Sequence, residues 1–311
     1  MKIRIAIALA LAMAGSASSQ AQGPAPFVVA ETGEAFGSLQ QAVTAIGPAR
    51  GTIRIAPGRY RDCAVQEAGQ IAFVAEERGT AVFDGGACEG KATLVLRGRG
   101  ASVDGLVFVN VRVADGNGAG IRLQQGDLQV AWTRFADGQC GILSHNDPES
   151  SISIDHSTFS GLGKDPDGNG AHSLYIGDYG RLRVTNSRFE RGTGGHYLKS
   201  RSPRIEVLDS SFDDSRGSRT NYLIDLSNGA SGRIAGNFFV HGSGKENHTT
   251  MITVAPEGAE NRSAGLIIER NDVSVVPGFK WRTAFVGDWS GEKLIVRDNK
   301  VAPGIALLER R

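Results

Sequence analysis

Between residues 172 and 228 the sequence sets imidazole, phenol, amine, guanidinium and carboxylate groups at a recurring interval. His172 and Tyr175 are followed 24 residues later by His196 and Lys199, with Arg201 two positions on; Tyr222 and Asp225 come after a further 26, then Asn228. If that interval is one turn of a repeat, all of these side chains stack on one face. Such a face can move protons, and if the repeat is a solenoid, whose extended groove suits a linear chain of sugars, the expected substrate is a polysaccharide. β-Elimination from a uronic-acid polymer needs a cation to neutralise the carboxylate, a base for the adjacent carbon's proton and an acid for the leaving oxygen. Arg201 or a bound cation suits the first task, Lys199, Tyr175 or a histidine such as His172 the second, and Tyr175, Tyr222 or His196 the third. Hydrolysis or epimerisation would instead use two placed carboxyl groups, for which Asp225 and Glu257 are the best-spaced pair. In a third reading the same face grips sugar without cutting it, through Tyr175, Tyr197 and Tyr222, with Asn228, His145 and Glu257 as further contacts.

The elements that must hold these groups are legible as a repeat. A β-branched residue, four intervening positions and an apolar residue recur eight times, in the pairs Val103/Phe108, Val130/Phe135, Ile154/Phe159, Val184/Phe189, Val207/Phe212, Ile234/Phe239, Ile268/Val273 and Val296/Val301. Strand-type periodicity repeated every 23 to 34 residues is the mark of a solenoid built of short strands, and predicts a single-stranded right-handed parallel β-helix. Three positions after the first residue of each later pair stand Thr133, Ser157, Ser187, Ser210, Asn237, Asn271 and Asn299, which predict an internal polar ladder; the first pair has Leu106 there. Successive coils lie about 4.8 Å apart. A second strand aligns upstream, with Ile121, Ile142, Leu174, Leu198, Ile224, Ile252 and Phe285 inward. Alternation then gives an outward column Arg122, Leu143, Tyr175, Lys199, Asp225, Thr253, Val286. Two further outward columns run Ala119, Cys140, His172, His196, Tyr222, Thr250, Thr283 and Gln124, His145, Gly177, Arg201, Ser227.

Two cations, an apolar run from Ile5 to Ala14 and small residues up to Ala21 predict a secretory signal over residues 1–21, with residues 22–311 forming one β-helix domain in the periplasm or outside the cell. Cleavage would remove Lys2 and Arg4 and no acid, leaving 32 basic against 33 acidic residues. That balance gives no signal for nucleic acid or membrane insertion, and the expected partner is a polysaccharide bound by a monomer. Glycine, at 42 of 311 residues, is about twice its usual share, as tight turns at positive φ require. In an oxidising compartment Cys63 and Cys88, about one coil apart, predict a disulfide, with Cys140 left as a small buried hydrophobe.

Phe36 to Ile46 has helical spacing at Phe36, Leu39, Val43 and Ile46 and ends at Gly47-Pro48. The strand Thr52–Ala56 and the turn Pro57-Gly58-Arg59-Tyr60 follow. Helix, strand and Pro-Gly-x-Tyr turn resemble the N-terminal cap and first coil of the pectate-lyase-like superfamily of right-handed β-helix proteins, which implies secreted polysaccharide-acting relatives but no particular reaction. A local resemblance is closer. Leu198-Lys199-Ser200, the stretch Ile205 to Phe212 and the Gly217 turn look like the catalytic region of family-6 polysaccharide lyases, the group of chondroitinase B and some alginate lyases. That resemblance implies Lys199 with Ser200 as the base and an arginine one coil later as the acid. Asp225 stands in the arginine's place here, and that family's calcium-binding acids have no clear counterpart beside Lys199. A carboxylate one coil from the lysine also raises the lysine's pKa.

No cofactor is required by this reading; Ca2+ is the ion that Asp165, Asp167 and Asn169 would hold, in a segment that begins like a calcium loop but has Ile176 where the bidentate acid belongs. His172 and His196 lack an obvious third partner for a transition metal. Asp213-Asp214 resembles the aspartate pair of polygalacturonases without the accompanying motifs, and the signatures of pectin methylesterases are missing.

Overall fold

The computed structural model describes residues 25–163 and 171–311. The proposed signal segment and the candidate calcium ligands Asp165, Asp167 and Asn169 lie outside them. The described chain winds into a right-handed parallel β-helix whose three faces are long parallel sheets. Sheet 1 runs from Arg50–Ile55 to Ile295–Arg297, sheet 2 from Gly58–Tyr60 to Lys300–Val301, and sheet 3 from Ala64–Gln66 to Ile305–Arg310. Each coil contributes one strand to each sheet.

The eight sequence pairs all face inward. Val103, Val130, Ile154, Val184, Val207, Ile234, Ile268 and Val296 are in register along sheet 1. Phe108, Phe135, Phe159, Phe189, Phe212, Phe239, Val273 and Val301 are in register along sheet 2. The phenyl rings form one axial stack, with centroids 4.7 Å apart from Phe159 to Phe189 and again from Phe189 to Phe212. That spacing is the strand spacing itself.

The polar ladder forms as the repeat predicts. Thr133, Ser157, Ser187 and Ser210 donate backbone N–H groups to the side-chain oxygens of Ser157, Ser187, Ser210 and Asn237 at 2.9–3.3 Å. Asn237 and Asn271 continue it to Asn271 and Asn299 at 3.0 Å. A buried turn thereby satisfies donors that sheet pairing leaves over.

At the N-terminal end the helix covers Leu39–Ile46 and starts later than its apolar spacing predicts. Ser38 caps it by accepting from Gln41 N, and Asp62 accepts from Leu39 N at 2.7 Å. Phe36 belongs instead to the strand Ala35–Phe36, paired antiparallel with Phe27–Val29, so capping chemistry at Ser38 overrides the periodic position of Phe36. Leu39, Ala42, Val43 and Ile46 are buried against the first coil and close the open end of the core. Cys63 and Cys88 are disulfide-bonded with Cα atoms 5.5 Å apart, and Cys140 is a buried free thiol. No helix among the described residues is long and apolar enough to cross a membrane.

Candidate functional site

Sheet 3 carries the expected columns. Tyr175, Lys199, Asp225 and Thr253 are register partners pointing outward, and the column ends at Gly287 rather than Val286. The last coil is displaced by one residue from the sequence alignment. Val286 pairs with Ile252 and faces inward, while Ala284 rather than Thr283 pairs with Thr250.

The displacement has the same cause as a larger correction. From the coil of Gly120 to that of Phe285, the strands of sheet 3 enter through a bend at which two successive residues point inside. A Cβ added at Gly120 or Gly141 would meet the rings of Phe135 or Phe159 at 2.7 and 2.6 Å, and Ser173, Tyr197, Leu223, Met251 and Phe285 occupy the same inner corner, all buried. Tyr197, expected on the groove to bind sugar, is therefore 1% exposed. Its hydroxyl donates to Asp214 Oδ1 at 2.8 Å and accepts from Gly192 N at 2.9 Å. Asp214 also accepts from Lys245 Nζ and Thr220 Oγ1 at 2.9 and 2.8 Å, a closed interior network that the sequence pattern did not reveal. Strict alternation has no place for a second inward residue, and the clue was available only in the small size of Gly120, Gly141 and Ser173.

Outside that corner the imidazoles stack. His172 lies 4.8 Å from His196 and His196 5.2 Å from the Tyr222 ring, centroid to centroid. His172 Nδ1 accepts the backbone N–H of His196 at 2.9 Å, and His196 Nδ1 accepts that of Tyr222 at 3.1 Å. Both rings are thus fixed as the tautomer with the proton on Nε2. Burial drives the pKa of His172 well below the usual value and that of His196 down to about 3, with neighbouring cationic groups adding to both. These are neutral N–H donors. His196 Nε2 faces Asp225 Oδ2 at 3.5 Å.

The centre of the face is a charge network. Lys199 Nζ donates to Asp225 Oδ2 at 3.1 Å and to Glu257 Oε1. Arg201 donates through Nη2 to Glu257 Oε2, through Nη1 to Asn228 Oδ1, and through Nε to the Tyr175 hydroxyl at 3.2 Å. Tyr175 stands edge-on to His172, and the Lys199 ammonium lies 5.7 Å from its ring centre. Asp225 additionally accepts from Ser227 Oγ and Thr253 Oγ1, each at 2.9 Å. The Lys199–Asp225 pair is no solvated surface contact, since the two side chains are 7% and 2% exposed.

Burial alone would lower the Lys199 pKa, but the charge of Asp225 and the bonds to Glu257 and Asp225 outweigh it and hold it above the ordinary lysine value. Lys199 therefore sits as an ammonium ion. Arg201 is likewise raised: burial opposes, while Tyr175 and Glu257 prevail. Glu257 is lowered, since its bonds to Lys199 and Arg201 outweigh its desolvation. Burial raises the pKa of Tyr222.

Of the residues singled out from sequence, His172, Tyr175, His196, Lys199, Arg201, Tyr222, Asp225, Asn228 and Glu257 come together. His145 is exposed, one coil before Tyr175 and two before Lys199, and makes no hydrogen bond to the cluster among the described residues. Among those residues no group of three or more His, Cys, Asp or Glu side chains is placed to hold a metal ion. Ser227 and Thr253, which fix Asp225, were not singled out as site residues, because a hydroxyl in a strand carries no spacing signal of its own.

A family model described as the right handed beta helix region matches residues 94–273. No curated protein matches the chain. A solved structure described as ORF18 of Geobacillus virus E2 resembles it with a TM-score of 0.45 and 11% identity, over 87% of this chain and 56% of that one. This chain thus spans little more than half the length of that relative.

Proposed function

The chain belongs to the right-handed β-helix family, and on that premise we propose that it is an exported enzyme that cleaves a uronic-acid-containing polysaccharide by β-elimination along the outer face of sheet 3. The observation that carries this reading is the contact of Arg201 Nε with the Tyr175 hydroxyl, beside the Lys199 ammonium and two neutral imidazole donors. A phenol flanked by cations is equipped to exchange protons with a sugar whose carboxylate those cations neutralise. In the reaction Tyr175, acting as a phenolate whose charge Arg201 and Lys199 offset, takes the proton from the carbon next to the carboxylate. The freed pair forms a carbon–carbon double bond, and the glycosidic oxygen leaves with a proton returned from Tyr175, or supplied by Tyr222 or His196. Lys199, protonated and paired, is assigned to charge neutralisation rather than to the base role that the family-6 lyase resemblance implies.

Hydrolysis through Asp225 and Glu257 is less well supported by this geometry. Both Asp225 oxygens are engaged by Lys199, Ser227 and Thr253, and Glu257 is held as a carboxylate by two cations, whereas a hydrolase needs one carboxyl group that stays protonated. The fold itself also serves non-catalytic proteins. The discriminating experiment incubates the purified protein with a panel of uronic-acid and neutral polysaccharides. New ultraviolet absorbance from an unsaturated uronate is expected. Reducing ends without that absorbance would establish hydrolysis, and affinity without product a binder.

A further inference from the structure

Two carboxylates reach the one buried ammonium of Lys199, and they are held differently. Asp225 is 1% exposed and takes bonds from Lys199, Ser227 and Thr253, so it is part of the sheet. Glu257 bonds only the two cations, one oxygen to Lys199 Nζ and the other to Arg201 Nη2. Its side chain is 43% exposed, against 7% for Lys199 and 28% for Arg201, so the acid reaches the cations from the solvent side. With Asp225 already balancing Lys199, Glu257 is the counter-charge of Arg201 and the only one of the four charged groups without a further anchor.

We infer that Lys199 and Arg201, with Asn228 beside them, form a receptor for the carboxylate of a uronic-acid ring, and that Glu257 fills it as a stand-in until substrate displaces it. A carboxylate bridging an ammonium and a guanidinium is the arrangement a uronate would make, one oxygen to each cation. Displacement needs no movement of the chain. The backbone around Glu257 is tied down by Glu257 N to Ser227 O at 3.0 Å, Asn261 N to Asn228 O at 2.8 Å, and Asn261 Nδ2 to Arg201 O at 2.9 Å. Gly258 follows with open space where a side chain would be. A side-chain rotation into solvent therefore empties the receptor and leaves one uncompensated positive charge on the outer face of sheet 3. The device would favour acidic polymers, because a neutral sugar cannot replace the bond pair that Glu257 gives up.

This inference rests on the acidic-polysaccharide reading of the same face, but its test reads binding and not turnover. Oligomers of galacturonic, glucuronic and mannuronic acid, and their carboxyl-reduced counterparts, are titrated calorimetrically into protein carrying Tyr175→Phe, so that cleavage is slowed about a hundredfold. Adding Glu257→Ala should tighten binding of at least one acidic oligomer by about tenfold and leave the reduced counterparts unchanged. Glu206→Ala, which frees Arg181 and Arg183 on the outer face of sheet 1, makes the same charge change elsewhere and should do nothing. Unchanged or weaker binding with Glu257→Ala, an equal gain with Glu206→Ala, or no binding of any oligomer by either form would overturn the receptor. A gain in binding with no unsaturated product from the wild type would keep the receptor and discard elimination; product without the gain would do the reverse.

Discussion

Removing Asp225 should cost far more stability than removing Glu257, although both touch Lys199. In Asp225→Ala the ammonium keeps only its solvent-side partner, and the Ser227 and Thr253 hydroxyls lose their acceptor inside the sheet. Breaking a buried pair from one side costs about 3–5 kcal/mol, because a charge remains desolvated without compensation. Each orphaned hydroxyl alone would cost about 1–3 kcal/mol, but these losses share one site and do not add. We expect about 4 kcal/mol for Asp225→Ala, and less for Asp225→Asn, which keeps an oxygen for Thr253. Glu257→Ala removes a largely exposed partner and should cost about 0–1 kcal/mol. Urea denaturation followed by far-ultraviolet circular dichroism measures all three by linear extrapolation. Because coils of a solenoid open semi-independently, hydrogen exchange at Leu198–Ser200 and Ile224–Leu226 should show the same order locally. Equal stability of Asp225→Ala and wild type, or a Glu257→Ala loss as large as that of Asp225→Ala, would refute this division of roles.

Tyr175→Phe should lower turnover about a hundredfold, as loss of a proton-transferring group does, with its denaturation midpoint nearly unchanged since the hydroxyl only accepts from half-buried Arg201; undiminished activity would move the chemistry elsewhere. The neutral histidines make stability pH-dependent. Unfolded, each binds a proton below about pH 6.5, whereas folded His196 stays neutral down to about 3; the unfolded chain thus binds more protons in that window and stability falls as pH drops through it. His196→Gln should flatten the fall between pH 7 and 5, and an equal slope in both proteins would contradict the buried neutral imidazole. Asn237→Ala, which strips the acceptor from Ser210 N inside the ladder, should cost about 1–3 kcal/mol in the same urea assay, and a neutral result would mean that water replaces the side chain.

The solenoid was legible because its signal is redundant: the same five-residue offset appears eight times, and Phe159, Phe189 and Phe212 fill one column in register. The outward grouping of Tyr175, Lys199 and Asp225 followed from that register. What failed were positions where the backbone departs from alternation. Tyr197 looked like a groove residue because the bend before Leu198 turns two neighbours inward, and the misplacement of Phe285 has the same origin. The helix start was missed because Phe36 fits both a helical stripe and a short edge strand, and only the cap at Ser38 decides. Burial of the Lys199–Asp225 pair was not legible either, since the walls that exclude water come from other coils and loops such as the one bearing Glu257.

Where an acidic glycan lies on the β-helix decides between these assignments. A crystal structure of the Tyr175→Phe protein with a bound uronate oligomer should show the chain along the outer face of sheet 3, a carboxylate between Lys199 and Arg201, Glu257 turned into solvent and the neighbouring ring carbon facing residue 175. An oligomer seated on sheet 1 or sheet 2, or one lying on sheet 3 with its carboxylates away from Lys199 and Arg201, would contradict it.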